Sequence, residues 1–143
     1  MPLYISINEA GTLNDAQRAE IAAGITDIHL KLAHGLRQFV NVVFQEYPAG
    51  LGFNAGSTGS PMIVRGSIRA GRDQSVKTAM LGAISDLVMR VSKIEPRHLT
   101  VSLVDAKASN VMEGGVILPE PGEEAAWLAE VGEKLGITAD PSS

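Results

Sequence analysis

Pro61-Met-Ile-Val-Arg-Gly-Ser-Ile68 repeats, later in the chain, the form of Pro2-Leu-Tyr-Ile-Ser-Ile7 at its start: a proline, then a short run of apolar, strand-favouring residues. The likeness continues outward from this pair. An ungapped shift of 59 residues lays Pro2 on Pro61, Leu3 on Met62, Ile21 on Met80, Ile25 on Ile84, Ile28 on Leu87 and Val42 on Val101. Any two strand–helix–strand units look somewhat alike. One offset held from the first proline to the last strand points instead to an ancestral duplication, with repeats of about 2–47 and 61–105.

Within the first half, Leu3 to Ile7 reads as a strand. Thr12-Leu-Asn-Asp15 has the hydroxyl-to-acid spacing of a capping box. Ile21, Ile25, Ile28 and Leu32 follow at helical spacing, and Gly35 offers a stop. Phe39 to Tyr47 is a second strand, and the glycine-rich residues 48–60 form a loop. The second half runs in parallel. Met62 to Ile68 is a strand, Asp73 caps a helix carrying Val76, Met80, Ile84, Leu87, Val91 and Ile94, Pro96 ends that helix, and Leu99 to Val104 is the fourth strand. A strand–helix–strand unit of this length implies a parallel pair with a right-handed crossover. The expected fold is therefore α/β: duplicated β-α-β units forming a four-stranded, mainly parallel sheet with two helices on one face. The opposite face, apolar as well, needs a cover, and self-association as a closed ring supplies one.

Beyond Asp105 the pattern changes into a C-terminal segment, 106–143. Lys107 to Gly115 is short and polar, Val116-Ile-Leu-Pro-Glu-Pro121 is extended by its prolines, Glu123 to Leu135 is a short helix around Trp127 and Leu128, and Thr138 to Ser143 reads as a frayed end. The whole, residues 1–143, is expected to be one domain.

Composition narrows the functional classes. With 45% apolar and 20% charged residues the chain has the make-up of a globular domain that builds a core unaided. It has no cysteine, which removes disulfides, thiolate ligands and a cysteine nucleophile. A net charge of −4 argues against a nucleic-acid surface. No apolar run reaches membrane-spanning length, and Met-Pro-Leu-Tyr-Ile lacks the basic start and apolar stretch of a signal peptide. A cytoplasmic location is expected.

Pro2 is the first candidate for chemistry. Proline after the initiator methionine permits methionine removal, which leaves a secondary amine able to act as base, acid or nucleophile. Leu3 begins a strand at once, so that amine sits on a rigid element. Arg69 and Arg72, in Arg-Ala-Gly-Arg ahead of the second helix, form a receptor for a carboxylate or phosphate; two solvated loop arginines are the competing reading. His29 in Asp-Ile-His-Leu reads, taken alone, as a partly buried helix residue, and His34 and His98 as structural. Glu113, in Val-Met-Glu-Gly-Gly, reads either as a desolvated general base or as a loop-surface acid. Three scattered histidines show no metal spacing, the glycines of 50–59 lack a phosphate-loop lysine, and no metal or cofactor is expected.

Together these residues resemble a known family. Pro2, the doubled unit, Ile25-Thr-Asp-Ile-His29, Asn41 to Gly50, Arg65 to Arg72, and the stretch from Glu113 ending Leu-Pro-Glu-Pro-Gly122 are similar to cis-3-chloroacrylic acid dehalogenase and its homologues. That group belongs to the tautomerase superfamily, with 4-oxalocrotonate tautomerase and macrophage migration inhibitory factor. The resemblance implies Pro2 as catalytic amine, Arg69 and Arg72 holding and polarising a small carboxylate substrate, His29 assisting at that end, Glu113 activating water and Phe39 as an apolar wall. It also implies a homotrimer and no cofactor.

One position departs from the family. Its dehalogenases carry a tyrosine on the fourth strand that works with the glutamate on water, and here the matching residue is Ser102. Serine is shorter and far less acidic than a phenol. Hydration and dehalogenation should suffer, while proton transfer beside a 2-oxo acid, as in phenylpyruvate-like enols, should survive. Ser102 would also leave room for a larger substrate. Three further readings stand beside this one: a cis-3-haloacrylate dehalogenase or hydratase, cofactor-free oxidative cleavage of an aryl enolpyruvate, and a non-catalytic binding module.

Overall fold

A computed structural model describes residues 2–137. Met1, whose removal frees the amine, and the end from Thr138 to Ser143 lie outside the described residues. In chain order the elements are β1 (Leu3–Glu9), α1 (Asp15–Leu32), β2 (Asn41–Tyr47), a two-rung hairpin of β3 (Phe53–Asn54) and β4 (Ser57–Thr58), β5 (Met62–Arg69), α2 (Gln74–Ser92) and β6 (Leu99–Ala106). A second small hairpin of β7 (Met112–Glu113) and β8 (Val116–Ile117) then leads to α3 (Glu124–Leu135). The one-turn 3-10 helices Arg37–Phe39 and Pro96–His98 stand at matching places before β2 and β6. The elements of the first half thus recur in the second at the spacing seen in the sequence.

The main sheet has the order β2-β1-β5-β6. β1 with β2 and β5 with β6 are parallel, as the crossovers require, and the central pair β1–β5 is antiparallel, with Ile5 opposite Arg65. Strand alternation turns Tyr4, Ser6 and Asn8 of β1 and Met62, Val64 and Ile68 of β5 to one buried face. There they pack with Ile21 and Ile25 of α1 and Met80, Ile84, Val88 and Val91 of α2. The other face is bare: Val43, Ile63 and Val104 are exposed.

Several boundaries differ from expectation for local reasons. α1 is capped by Asn14, not Thr12. The Asn14 side chain accepts from the Gln17 N–H at 2.8 Å, and the Gln17 side chain accepts from the Asn14 N–H at 2.9 Å. The Thr12 hydroxyl instead donates to the Glu9 carbonyl. Asp73 stands at the N-cap of α2 but its side chain makes no capping bond. α1 ends at Leu32, before Gly35, and Phe39 belongs to the 3-10 turn, so β2 starts at Asn41. α2 ends at Ser92, with Lys93 left-handed (φ 60°), ahead of Pro96. Glycine is needed at Gly66, which lies opposite Tyr4: a Cβ there would meet the Tyr4 ring at 2.5 Å.

Candidate functional site

At the end of the sheet where β1 begins, a cavity of about 30 Å³ opens among the N-terminus, α1, the turn before α2 and the C-terminal segment. Pro2, His29, Phe39, Arg69 and Arg72 line it together with Leu36, Leu118, Pro119, Glu124 and Trp127. A wider open groove of about 490 Å³ adjoins it and shares His34, Gly35, Leu36, Arg72 and Glu124 with its wall.

Each polar group is fixed by identifiable bonds. Pro2 is buried ahead of β1, and its carbonyl accepts from the Asn41 N–H at 3.0 Å, which ties the chain start to β2. Arg69 ends β5 and is 7% exposed; its guanidinium donates to the Pro119 carbonyl at 2.7 Å and pairs with Glu124 at 2.5 Å. Arg72 donates through Nε and Nη2 to the Ala33 carbonyl (3.2 and 2.9 Å) and through Nη1 to the Arg69 carbonyl at 2.7 Å. Ala33 caps the end of α1, so Arg72 serves a carbonyl that the finished helix leaves unpaired. Arg72 therefore joins the two halves of the molecule and Arg69 ties the second half to the C-terminal segment, while both charge the cavity.

His29 lies in the last turn of α1, 2% exposed, and its Nδ1 is 2.8 Å from the Tyr4 hydroxyl. Burial, then Arg72 and Arg69, push its pKa down to about 4, so the ring is neutral at neutral pH. Burial raises the Tyr4 pKa against the opposing pull of Arg72, so the phenol keeps its proton. The fully buried hydroxyl needs an acceptor, and Nδ1 is the partner found for it among the described residues. Donation from Tyr4 to Nδ1 places the imidazole proton on Nε2 and makes His29 a neutral donor.

The apolar wall is aromatic. Phe39 meets Trp127 edge-on with centroids 5.8 Å apart, and the indole N–H donates to the Ile117 carbonyl at 2.8 Å, which holds α3 against the β7–β8 hairpin.

Two sequence candidates lie elsewhere. Ser102 of β6 alternates with Val101 and Leu103, which pack on the core, and so sits on the helix-free face opposite Arg65. Within one chain it does not line the cavity and does not enlarge it. Glu113, partly buried in β7 opposite Val116, is likewise absent from the wall. Glu124 and Trp127 at the wall and Tyr4 behind His29 carry no mark of their own in the sequence, and His34, expected to be structural, stands at the wall of both spaces. Glu124 and Trp127 follow directly after the Leu-Pro-Glu-Pro-Gly stretch that carried the resemblance, and that was the available signal.

Residues 1–131 match the model of a family described as "Putative oxalocrotonate tautomerase enzyme". Among solved structures, native Ps01740 is 40% identical, with TM-score 0.77 over 78% of this chain and 99% of that one. N1, a member of the cis-3-chloroacrylic acid dehalogenase family, is 32% identical, with TM-score 0.87 over 93% of this chain and 94% of that one. A fused 4-OT symmetric trimer, 19% identical, shares the fold with TM-score 0.74 over 81% of this chain and 94% of that one. Comparison with curated proteins gives no match.

Proposed function

The chain belongs to this tautomerase family, and we propose that it is a cofactor-independent enzyme that moves a proton between oxygen and carbon of a small 2-oxo acid of the phenylpyruvate type. The supporting observation is that Pro2, both arginines and His29, whose Nδ1 meets the Tyr4 hydroxyl, share one cavity with an aromatic wall. With Met1 removed, the neutral Pro2 nitrogen takes the enol hydroxyl proton and returns it to the adjacent carbon, giving the ketone. Negative charge gathers on oxygen during the transfer. Arg69, Arg72 and the His29 Nε2–H hold the substrate carboxylate and offset that charge from fixed positions. Glu113 and Ser102 are not among the residues that line the cavity of one chain, and this proton transfer needs neither.

A homotrimer is part of the proposal. The bare sheet face supports it, and the fused 4-OT relatives are trimers. Native mass by light scattering is expected at three chains; a monomer at micromolar concentration would contradict it. The catalytic reading is tested by ketonisation of an aryl enolpyruvate. The purified protein should lack Met1 by intact mass, and Pro2→Ala should lower kcat/KM by roughly a hundredfold or more. Turnover no faster than that of free proline would overturn the reading.

A further inference from the structure

We propose that Glu124 is a specificity-determining residue that makes the cavity a receptor for a monocarboxylate with an apolar tail and excludes dicarboxylates. The inference rests on the cavity being the substrate site, and it adds the charge class of the substrate.

Charge counting carries the argument. Arg69 and Arg72 bring two positive charges to the cavity wall, and Glu124 is the acid among its lining residues. Glu124 does not hang loosely there. One carboxylate oxygen pairs with Arg69 and the other accepts from the Gly122 N–H at 2.8 Å. It opens α3, where a negative charge also suits the helix N-terminus. Burial alone would raise its pKa, but the Arg69 hydrogen bond and charge bring it below the usual carboxylate range, so it is ionised at neutral pH. One arginine charge is already answered from within the chain, leaving one side-chain positive charge for the ligand.

Position gives the selection its direction. Glu124 stands where the cavity passes into the wider groove, being common to both walls. With only about 30 Å³ in the cavity, a substrate anchored by its carboxylate on the arginines would extend past Glu124 into the groove, whose wall carries Leu32, Val76 and Pro121 beside His34, Arg72 and Asp73. A second carboxylate on that far end would meet the carboxylates of Glu124 and Asp73, while Arg72 is already turned to the first carboxylate.

The test compares two ligands that differ by a single group, 3-phenylpropionate and 3-(4-carboxyphenyl)propionate, titrated calorimetrically into the mature protein. The monoacid should bind at least about tenfold more tightly. Glu124→Gln should cut that ratio several-fold, and Glu123→Gln, which removes the same charge from an exposed neighbour, should leave it unchanged. Emission of Trp127, the chain's one tryptophan, reports whether α3 stays docked in the variant. If α3 is released, the wild-type ratio alone decides. Equal wild-type affinities, or a ratio that Glu124→Gln leaves intact, would overturn the proposal. Binding is read without turnover, so the expected ratio in a Pro2→Ala protein would stand even if the catalytic reading fell. Binding indifferent to Arg69→Ala would end both.

Discussion

His29 is neutral because the fold makes its charge costly, and that has a consequence for stability. In the unfolded chain it protonates near the ordinary value of about 6.5; in the folded chain it does so at about 4. Between those values the unfolded state binds the extra proton, so stability falls as pH drops from roughly 6.5 to 4 and this contribution is flat below that window. The span corresponds to about 3 kcal/mol at most. Urea unfolding at pH 7 and pH 4.5 should show the loss, and His29→Gln should lessen the pH dependence; an unchanged slope in the variant would place the effect elsewhere. At this scale the sequence was informative where residues matched a family pattern, as with Pro2, His29, Arg69 and Arg72. Tyr4 went unread because an aromatic residue on an alternating strand is equally a core residue. What singles it out is a hydrogen bond to a residue 25 positions away, and spacing does not encode that.

At the scale of elements, β1 and β5 do more than pair. Tyr4 lies over Gly66 on the neighbouring strand, so the glycine makes room for the ring that orients His29. Gly66→Ala should cost about 1–3 kcal/mol, because the backbone and a buried ring have little room to yield. Gly82→Ala, on an exposed stretch of α2 with nothing near the new methyl, should instead stabilise by about 0.5–1 kcal/mol. Urea midpoints of the two variants should move in opposite directions, and equal shifts would refute the packing argument at Gly66. Strands and helices were legible because their apolar periods of 2 and 3.6 are imposed by burial on one face. The caps were less so: Thr12 and Asn14 both offer a capping oxygen, and only the path of the chain from Glu9 decides between them. The role of α3 as a wall depended on Arg69–Glu124 and Phe39–Trp127, contacts between segments far apart in sequence.

Taken whole, the molecule places its chemistry where its pieces meet. The start of β1, the end of α1, the turn before α2 and the first turns of α3 converge on one cavity, while the helix-free face leaves Val43, Ile63 and Val104 exposed. Ser102 shares that face, opposite Arg65. Freed of Met1, the Pro2 amine would share that cavity with two guanidinium groups. Arg69 and Arg72 line that space and Glu124 answers one of them, so the net positive field there should lower the amine pKa. The most direct measurement is an NMR titration of 15N-labelled Pro2 in the mature protein. The expected result is a pKa below that of the same proline at the start of an unfolded peptide, rising when Arg69 is replaced by alanine. A Pro2 pKa equal to the peptide's and indifferent to Arg69→Ala would contradict it.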